Sequence, residues 1–186
     1  MVTRNNRNRQ PKGTSKGGQF APETHEAAPT DLDVSGNEAE ATLVERYPNN
    51  GNLKREEWRD KNGDLDRVDG PAFIVYFENG TIEEEQWWRN GKFHRDDGPA
   101  YTGYYPDGTI RTESWWKDGE LHRDNAPAGI IYNEDGTIGE EHWWQDDELH
   151  RADGPARIFY SQDGDIEREQ WWQYGEKIAP PDQQKR

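Results

Sequence analysis

Three histidines, His94, His122 and His150, stand 28 residues apart, each followed directly by an arginine, Arg95, Arg123 and Arg151. Glutamates recur in step at 85, 113, 141 and 169. Imidazoles in a row could ligate zinc, and a His-Arg-Asp-Glu set could move protons. The spacing argues against both. If each period adds two strands, equivalent imidazoles lie roughly 9.5 Å apart, whereas one zinc draws its ligand atoms to about 2 Å. A catalytic group is also normally unique, and each of these occurs three or four times. A histidine packed against a tryptophan, and an arginine and aspartate that satisfy the backbone of a kink, are the expected roles. No cysteine is present, so thiolate sites and disulfides are excluded. No Ser–His–Asp set, phosphate-cradling glycine loop or HExxH occurs. Asp60-x-Asn62-x-Asp64 begins like a calcium loop, but Leu65 stands where that loop needs glycine and Pro71 where it needs glutamate. Neither a catalytic residue nor a cofactor or metal site is expected.

The elements that position these residues follow from the same period. Pro71, Pro99, Pro127 and Pro155 keep the step, as do Tyr76, Tyr104, Tyr132 and Tyr160. So do the pairs Trp87-Trp88, Trp115-Trp116, Trp143-Trp144 and Trp171-Trp172. Asn79-Gly80, Asp107-Gly108, Asp135-Gly136 and Asp163-Gly164 are hairpin dipeptides, and a second set falls at 90–91, 118–119 and 146–147. The block Asp97-Gly98-Pro99 carries a proline that cannot donate to a ladder. Units that stack by translation need an even number of chain reversals, and two hairpins already supply that, so the block is read as a kink or bulge. The expected fold is all-β: an elongated antiparallel meander of about four 28-residue, two-stranded repeats, about ten strands in all. The first and last units are atypical, as capping units are in a solenoid.

Two-residue turns set the register. A turn at 107–108 puts Ala100 opposite Trp115, and a turn at 118–119 puts Trp115 opposite His122. The same arithmetic gives Ala72–Trp87–His94, Ala128–Trp143–His150 and Ala156–Trp171–Ile178. Ile82, Ile110, Ile138 and Ile166 are expected on the opposite face, with the second tryptophan of each pair. Phe73, Tyr101, Gly129 and Arg157 occupy one equivalent position and all differ, which marks Phe73, Tyr101 and Arg157 as candidate partner contacts.

Composition divides the chain. Leu, Ile, Val and Phe make up only about 13% and the net charge is −15, values typical of disorder. Yet nearly all the Trp, Tyr and Phe residues lie between Trp58 and Tyr174, and each can bury on the order of 150–250 Å². The expected division is a disordered arm over 1–50, a β-repeat domain over 51–179 and a tail over 180–186. The arm begins basic and turns acidic near Ala21, while the remaining body is strongly acidic. Such a body repels nucleic acid and anionic membrane. Phe20 is the only aromatic before Tyr47, and in its basic setting it is a candidate docking residue. No apolar run is long enough for a signal peptide or a span, so a cytoplasmic protein is expected.

The tyrosine, Asp-Gly, tryptophan and Asn-Gly at fixed offsets over residues 53 to about 178 resemble MORN-type repeats, especially their bacterial variant. The His94–Ala100 block and the longer period depart from the usual family unit. Thr14–Pro22 resembles a short "GGQFA" leader of actinobacterial and phage proteins. The repeat resemblance implies a scaffold or binding surface; the lipid contact proposed for some members is opposed by the acidic body here. The expected function is a non-enzymatic module that binds another macromolecule, most of all a protein, as scaffold, adaptor or inhibitor. The alternatives are carbohydrate binding through exposed Trp or Tyr, and an acidic nucleic-acid mimic. Self-association through open sheet edges is also expected of such an array.

Overall fold

The computed structural model of the chain describes residues 41–181; Phe20 with the rest of 1–40, and the tail residues 182–186, lie outside the described residues. The described part is all-β. Its unit is a long hairpin followed by a short one. The long hairpins are β1 (Leu43–Arg46) with β2 (Leu53–Glu57), β3 (Phe73–Tyr76) with β4 (Ile82–Gln86), and β7 (Tyr101–Tyr104) with β8 (Ile110–Ser114). They continue as β11 (Gly129–Tyr132) with β12 (Ile138–His142), and β15 (Arg157–Tyr160) with β16 (Ile166–Gln173). The short ones are β5 (Trp88–Arg89) with β6 (Lys92–Phe93), β9 (Trp116–Lys117) with β10 (Glu120–Leu121), and β13 (Trp144–Gln145) with β14 (Glu148–Leu149). The last short hairpin is formed by the far end of β16 with β17 (Glu176–Ile178). The sheet is an eleven-stranded antiparallel meander in chain order, β1-β2-β3-β4-β7-β8-β11-β12-β15-β16-β17. The short hairpins stand beside one another at one end of it.

Strand β1 falls inside the segment expected as arm, so the boundary at residue 50 is corrected to near Ala41. Leu43–Arg46 pairs with β2, bulged after Glu45 just as β7 is bulged after Gly103. It is a fifth unit whose sequence has drifted, with Arg46 in place of tyrosine and no tryptophan pair.

The long-hairpin turns differ from the expected two-residue form. Phe77 N–H donates to Thr81 O and Gly80 N–H to Phe77 O, with Gly80 at φ +93°, a three-residue loop closed by a left-handed glycine. A one-residue bulge at Glu83 then restores the register, so Val75 pairs Glu84 although Tyr76 pairs Ile82. The two departures cancel, and Tyr101 lies opposite Ser114, which places Ala100 beside Trp115 as expected. The bulge does overturn one expectation. It shifts the alternation, so Ile82 joins the face of Ile74 and Ala72 instead of the opposite one. The short-hairpin turns are of the two-residue type, with Asn90-Gly91, Asp118-Gly119, Asp146-Asp147 and Tyr174-Gly175 all left-handed.

The Asp-Gly-Pro block is a bulge of five residues, Arg95 to Pro99. His94 and Ala100 both end up across from Trp87: His94 N–H donates to Trp87 O, and Trp87 N–H to Ala100 O at 2.7 Å. Inside the bulge each arginine folds back over the tryptophan before it. The guanidinium carbon lies 4.0 Å from the ring centre for Arg67 on Trp58, 3.9 Å for Arg95 on Trp87, 3.7 Å for Arg123 on Trp115 and 3.8 Å for Arg151 on Trp143. Arg95 Nε donates to Asp97 Oδ1 and Nη1 to Pro99 O. The glycine lets the arginine lie close to the backbone, since a Cβ at Gly98 would stand 2.8 Å from the Arg95 guanidinium carbon. The third unit has Ala126 there, and Asn125 before it takes φ +57° instead.

Ala72, Ala100, Ala128 and Ala156 are fully buried between the tryptophans. Ala100→Leu should therefore overpack the row and cost about 1–3 kcal/mol. A chemical melt of the variant that superimposes on the parent would contradict this register.

Candidate binding face

Alternation along the long hairpins separates two faces of different character. One carries the recurring residues. The tyrosine hydroxyls there reach back to the preceding unit: Tyr76 Oη donates to Glu56 Oε2 at 2.6 Å, Tyr104 to Glu85 at 2.8 Å, Tyr132 to Glu113 at 2.7 Å and Tyr160 to Glu141 at 3.2 Å. Burial, and then the carboxylate beside it, pushes each of these phenols well above its ordinary value. Burial also raises the Glu141 carboxyl. Tryptophan, arginine, alanine, tyrosine and glutamate thus form one structural spine from unit to unit.

The other face holds four rows whose residues vary along the array, with only Glu84 matching Glu140 and Gln86 matching Gln170. The rows are Phe73, Tyr101, Gly129 and Arg157; Val75, Gly103, Ile131 and Phe159; Glu84, Thr112, Glu140 and Arg168; and Gln86, Ser114, His142 and Gln170. Chemistry changes along the array. Near its start Tyr101 Oη donates to Glu84 Oε2 at 3.0 Å, and burial with the Glu84 charge pushes this phenol up to about 12. Gly103, Thr112, Ser114 and Gly129 put small residues in the middle, and the Tyr101 hydroxyl and the Arg111 guanidinium come over Gly103. Toward the C-terminal end the Arg168 guanidinium carbon lies 3.7 Å from the Phe159 ring centre and that of Arg157 5.1 Å from it. His142 Nε2 meets Glu140 Oε2 at 2.9 Å, and Arg157 Nη2 is 3.7 Å from the same oxygen. Burial lowers the His142 pKa despite the carboxylate. This end is basic and aromatic in a chain of net charge −15.

Phe73, Tyr101 and Arg157 are brought onto this single face. The other three rows went unmarked in the sequence, although comparison at the same 28-residue offset carries the signal.

The histidines join neighbouring short hairpins. Asp118 N–H donates to His94 Nδ1 at 3.1 Å and Tyr174 N–H to His150 Nδ1 at 3.2 Å, while His122 Nδ1 lies 2.8 Å from Asp146 Oδ1. Among the described residues, no group of three or more His, Cys, Asp or Glu is placed to hold a metal ion. No helix of the described residues is long and apolar enough to cross a membrane. Along the same hairpins runs a half-exposed apolar ladder. Trp88 and Phe93 ring centres are 4.0 Å apart, Phe93 and Trp116 are 5.1 Å apart, and Trp116 then pairs Leu121 as Trp144 pairs Leu149. Trp171 pairs Ile178, which ends the histidine series with an apolar residue.

Compared with known proteins, the chain matches no family model, no curated protein and no solved structure.

Proposed function

We propose that the protein is a non-enzymatic, MORN-like repeat module of the cytoplasm that binds another protein through the variable face. The observation that carries this reading is the contrast between the two faces. In one sheet, one face repeats Trp, Ala, Tyr and Glu from unit to unit, while each of the four rows on the other holds at least three different residue types. Packing explains the recurring side, and it gives no reason for the other to vary. A mixed surface of aromatics, arginines and small residues suits a protein contact, where Tyr and Arg supply most of the affinity. Phe20 is a second contact in this reading, and the leader around it directs the search to actinobacterial or phage hosts.

The test is affinity capture from the native host with the parent, Tyr101→Ala, Arg157→Ala and Phe159→Ala. An exposed spine-side control, Asp97→Ala, accompanies them. At least one face variant should lose the partner by about 2 kcal/mol or more while its melt stays close to the parent's. Identical capture by the parent and the three face variants would remove the variable face from consideration. The ladder Trp88–Phe93–Trp116 favours a second reading, stacking on sugar rings, and binding on a glycan array that is lost in Trp116→Ala would select it.

A further inference from the structure

We infer that the two ends of the sheet are complementary and that a second copy of the chain continues the array head to tail. Every junction between units follows one template. The second strand of a long hairpin pairs with the first strand of the next, as Gln86 with Tyr101, Glu85 with Thr102 and Glu84 with Gly103. The tyrosine at the end of that first strand then reaches the glutamate of the preceding unit, as Tyr104 reaches Glu85.

At the C-terminal edge this template has no occupant among the described residues. Glu169 is the copy of Glu85, Glu113 and Glu141 that ends the series, and both it and Arg168 are exposed. At the N-terminal edge, the pairing of β1 with β2 matches that of β7 with β8 residue for residue. Leu43 stands at the Tyr101 position, Val44 at Thr102, Glu45 at Gly103 and Arg46 at Tyr104. A copy docked by the template therefore sets Gln170 opposite Leu43, Glu169 opposite Val44 and Arg168 opposite Glu45. It also puts Arg46 where a tyrosine would reach Glu169. Both charge pairs are of opposite sign. The one unit whose tyrosine has become arginine is the one that, among the described residues, has no preceding hairpin to supply a glutamate, which makes the ion pair a substitute for the internal phenol–carboxylate bond.

Exposure agrees. Val44 is 47% exposed, whereas Thr102, Ile130 and Ile158 at the same position are buried by the strand before them. An open strand edge offers unpaired N–H and C=O groups to any such partner. Because the two surfaces are different, the contact is heterologous and does not close on itself at two copies. This inference is independent of the variable face, which remains free along the extended sheet.

The experiment is sedimentation velocity on the full chain over a wide concentration range, for the parent, Arg46→Glu, Glu169→Arg, an equimolar mixture of the two, and the double variant. The parent's average mass should rise past that of a dimer. Each single reversal should weaken assembly by about tenfold or more, and both the mixture and the double variant should recover it. Far-ultraviolet spectra should be the same throughout, and melts should coincide at concentrations low enough for every variant to be monomeric. A parent that stays monomeric or stops at a dimer overturns the inference. So does a single reversal without effect, which would indicate a symmetric contact through one edge, or a mixture that fails to recover.

Discussion

Replacing Trp115 by alanine should cost the domain about 3–5 kcal/mol, the usual range for removing a packed tryptophan. The ring sits in the middle of the array with the Arg123 guanidinium 3.7 Å above it and the buried Ala100 and Ala128 on the neighbouring strands. Its loss opens a cavity and also removes the cation–π attraction, about 0.5–1 kcal/mol by itself. Units touch only their neighbours in such an array, so damage at the centre also uncouples the two halves. Urea unfolding followed by circular dichroism should show a lower midpoint and a shallower slope as the transition divides. Trp58→Ala removes an equally stacked ring at the end of the array, and it should fray the first unit while the rest unfolds as before. A Trp115→Ala midpoint indistinguishable from the parent's would mean that the tryptophan row does not carry the fold.

Alkali should unfold the protein cooperatively. Four tyrosines on the spine donate to glutamates of neighbouring units, and burial first, carboxylate charge second, raises their pKa above the ordinary 10. In the unfolded chain these phenols ionise near 10, so above that pH the unfolded state sheds protons that the folded state retains. The stability they contribute is complete below about pH 10 and is lost as the pH climbs through the raised folded values. Tyr101, pushed up to about 12, adds to the same trend. Phenolate absorbance and the loss of β-sheet ellipticity should rise together. Changing Tyr76, Tyr104, Tyr132 and Tyr160 to phenylalanine should move the alkaline limit upward. At neutral pH it should lower stability, because the buried carboxylates of Glu113 and Glu141 lose a donor. Phenols that titrate near 10 with the sheet intact would show that the hydroxyl–carboxylate links are dispensable.

Much of this architecture is legible in the residues because a repeat writes its own alignment. The 28-residue step, the Asn-Gly and Asp-Gly dipeptides and the small alanine beside each tryptophan place the hairpins and the Ala100–Trp115–His122 register. The bulge is not legible, since Glu83, Arg111, Gly139 and Glu167 show no constant residue type: two glutamates, an arginine and a glycine. It compensates a turn one residue longer than expected, so the pairing follows from the residues while the side of Ile82 does not. Strand β1 was hidden for a different reason. Its residues Leu43–Arg46 contain two apolar side chains in an acidic, proline-flanked stretch, and only pairing with β2 makes them a strand. Of the candidate face, one row showed in the sequence because Phe73, Tyr101, Gly129 and Arg157 differ so widely. The other rows needed the knowledge of which residues point the same way.

The strand order runs without a crossover from β1 at one edge to β17 at the other. Tension applied to the two ends of the described chain would pull across the strands, loading the backbone hydrogen bonds in succession like the teeth of a zipper. No long set of them would bear the load in parallel, as in a sheared pair of strands. Each 28-residue unit that yields would release on the order of 90 Å of slack. The same layout that lets units be stacked one by one therefore makes the domain a compliant, stepwise-extensible tether.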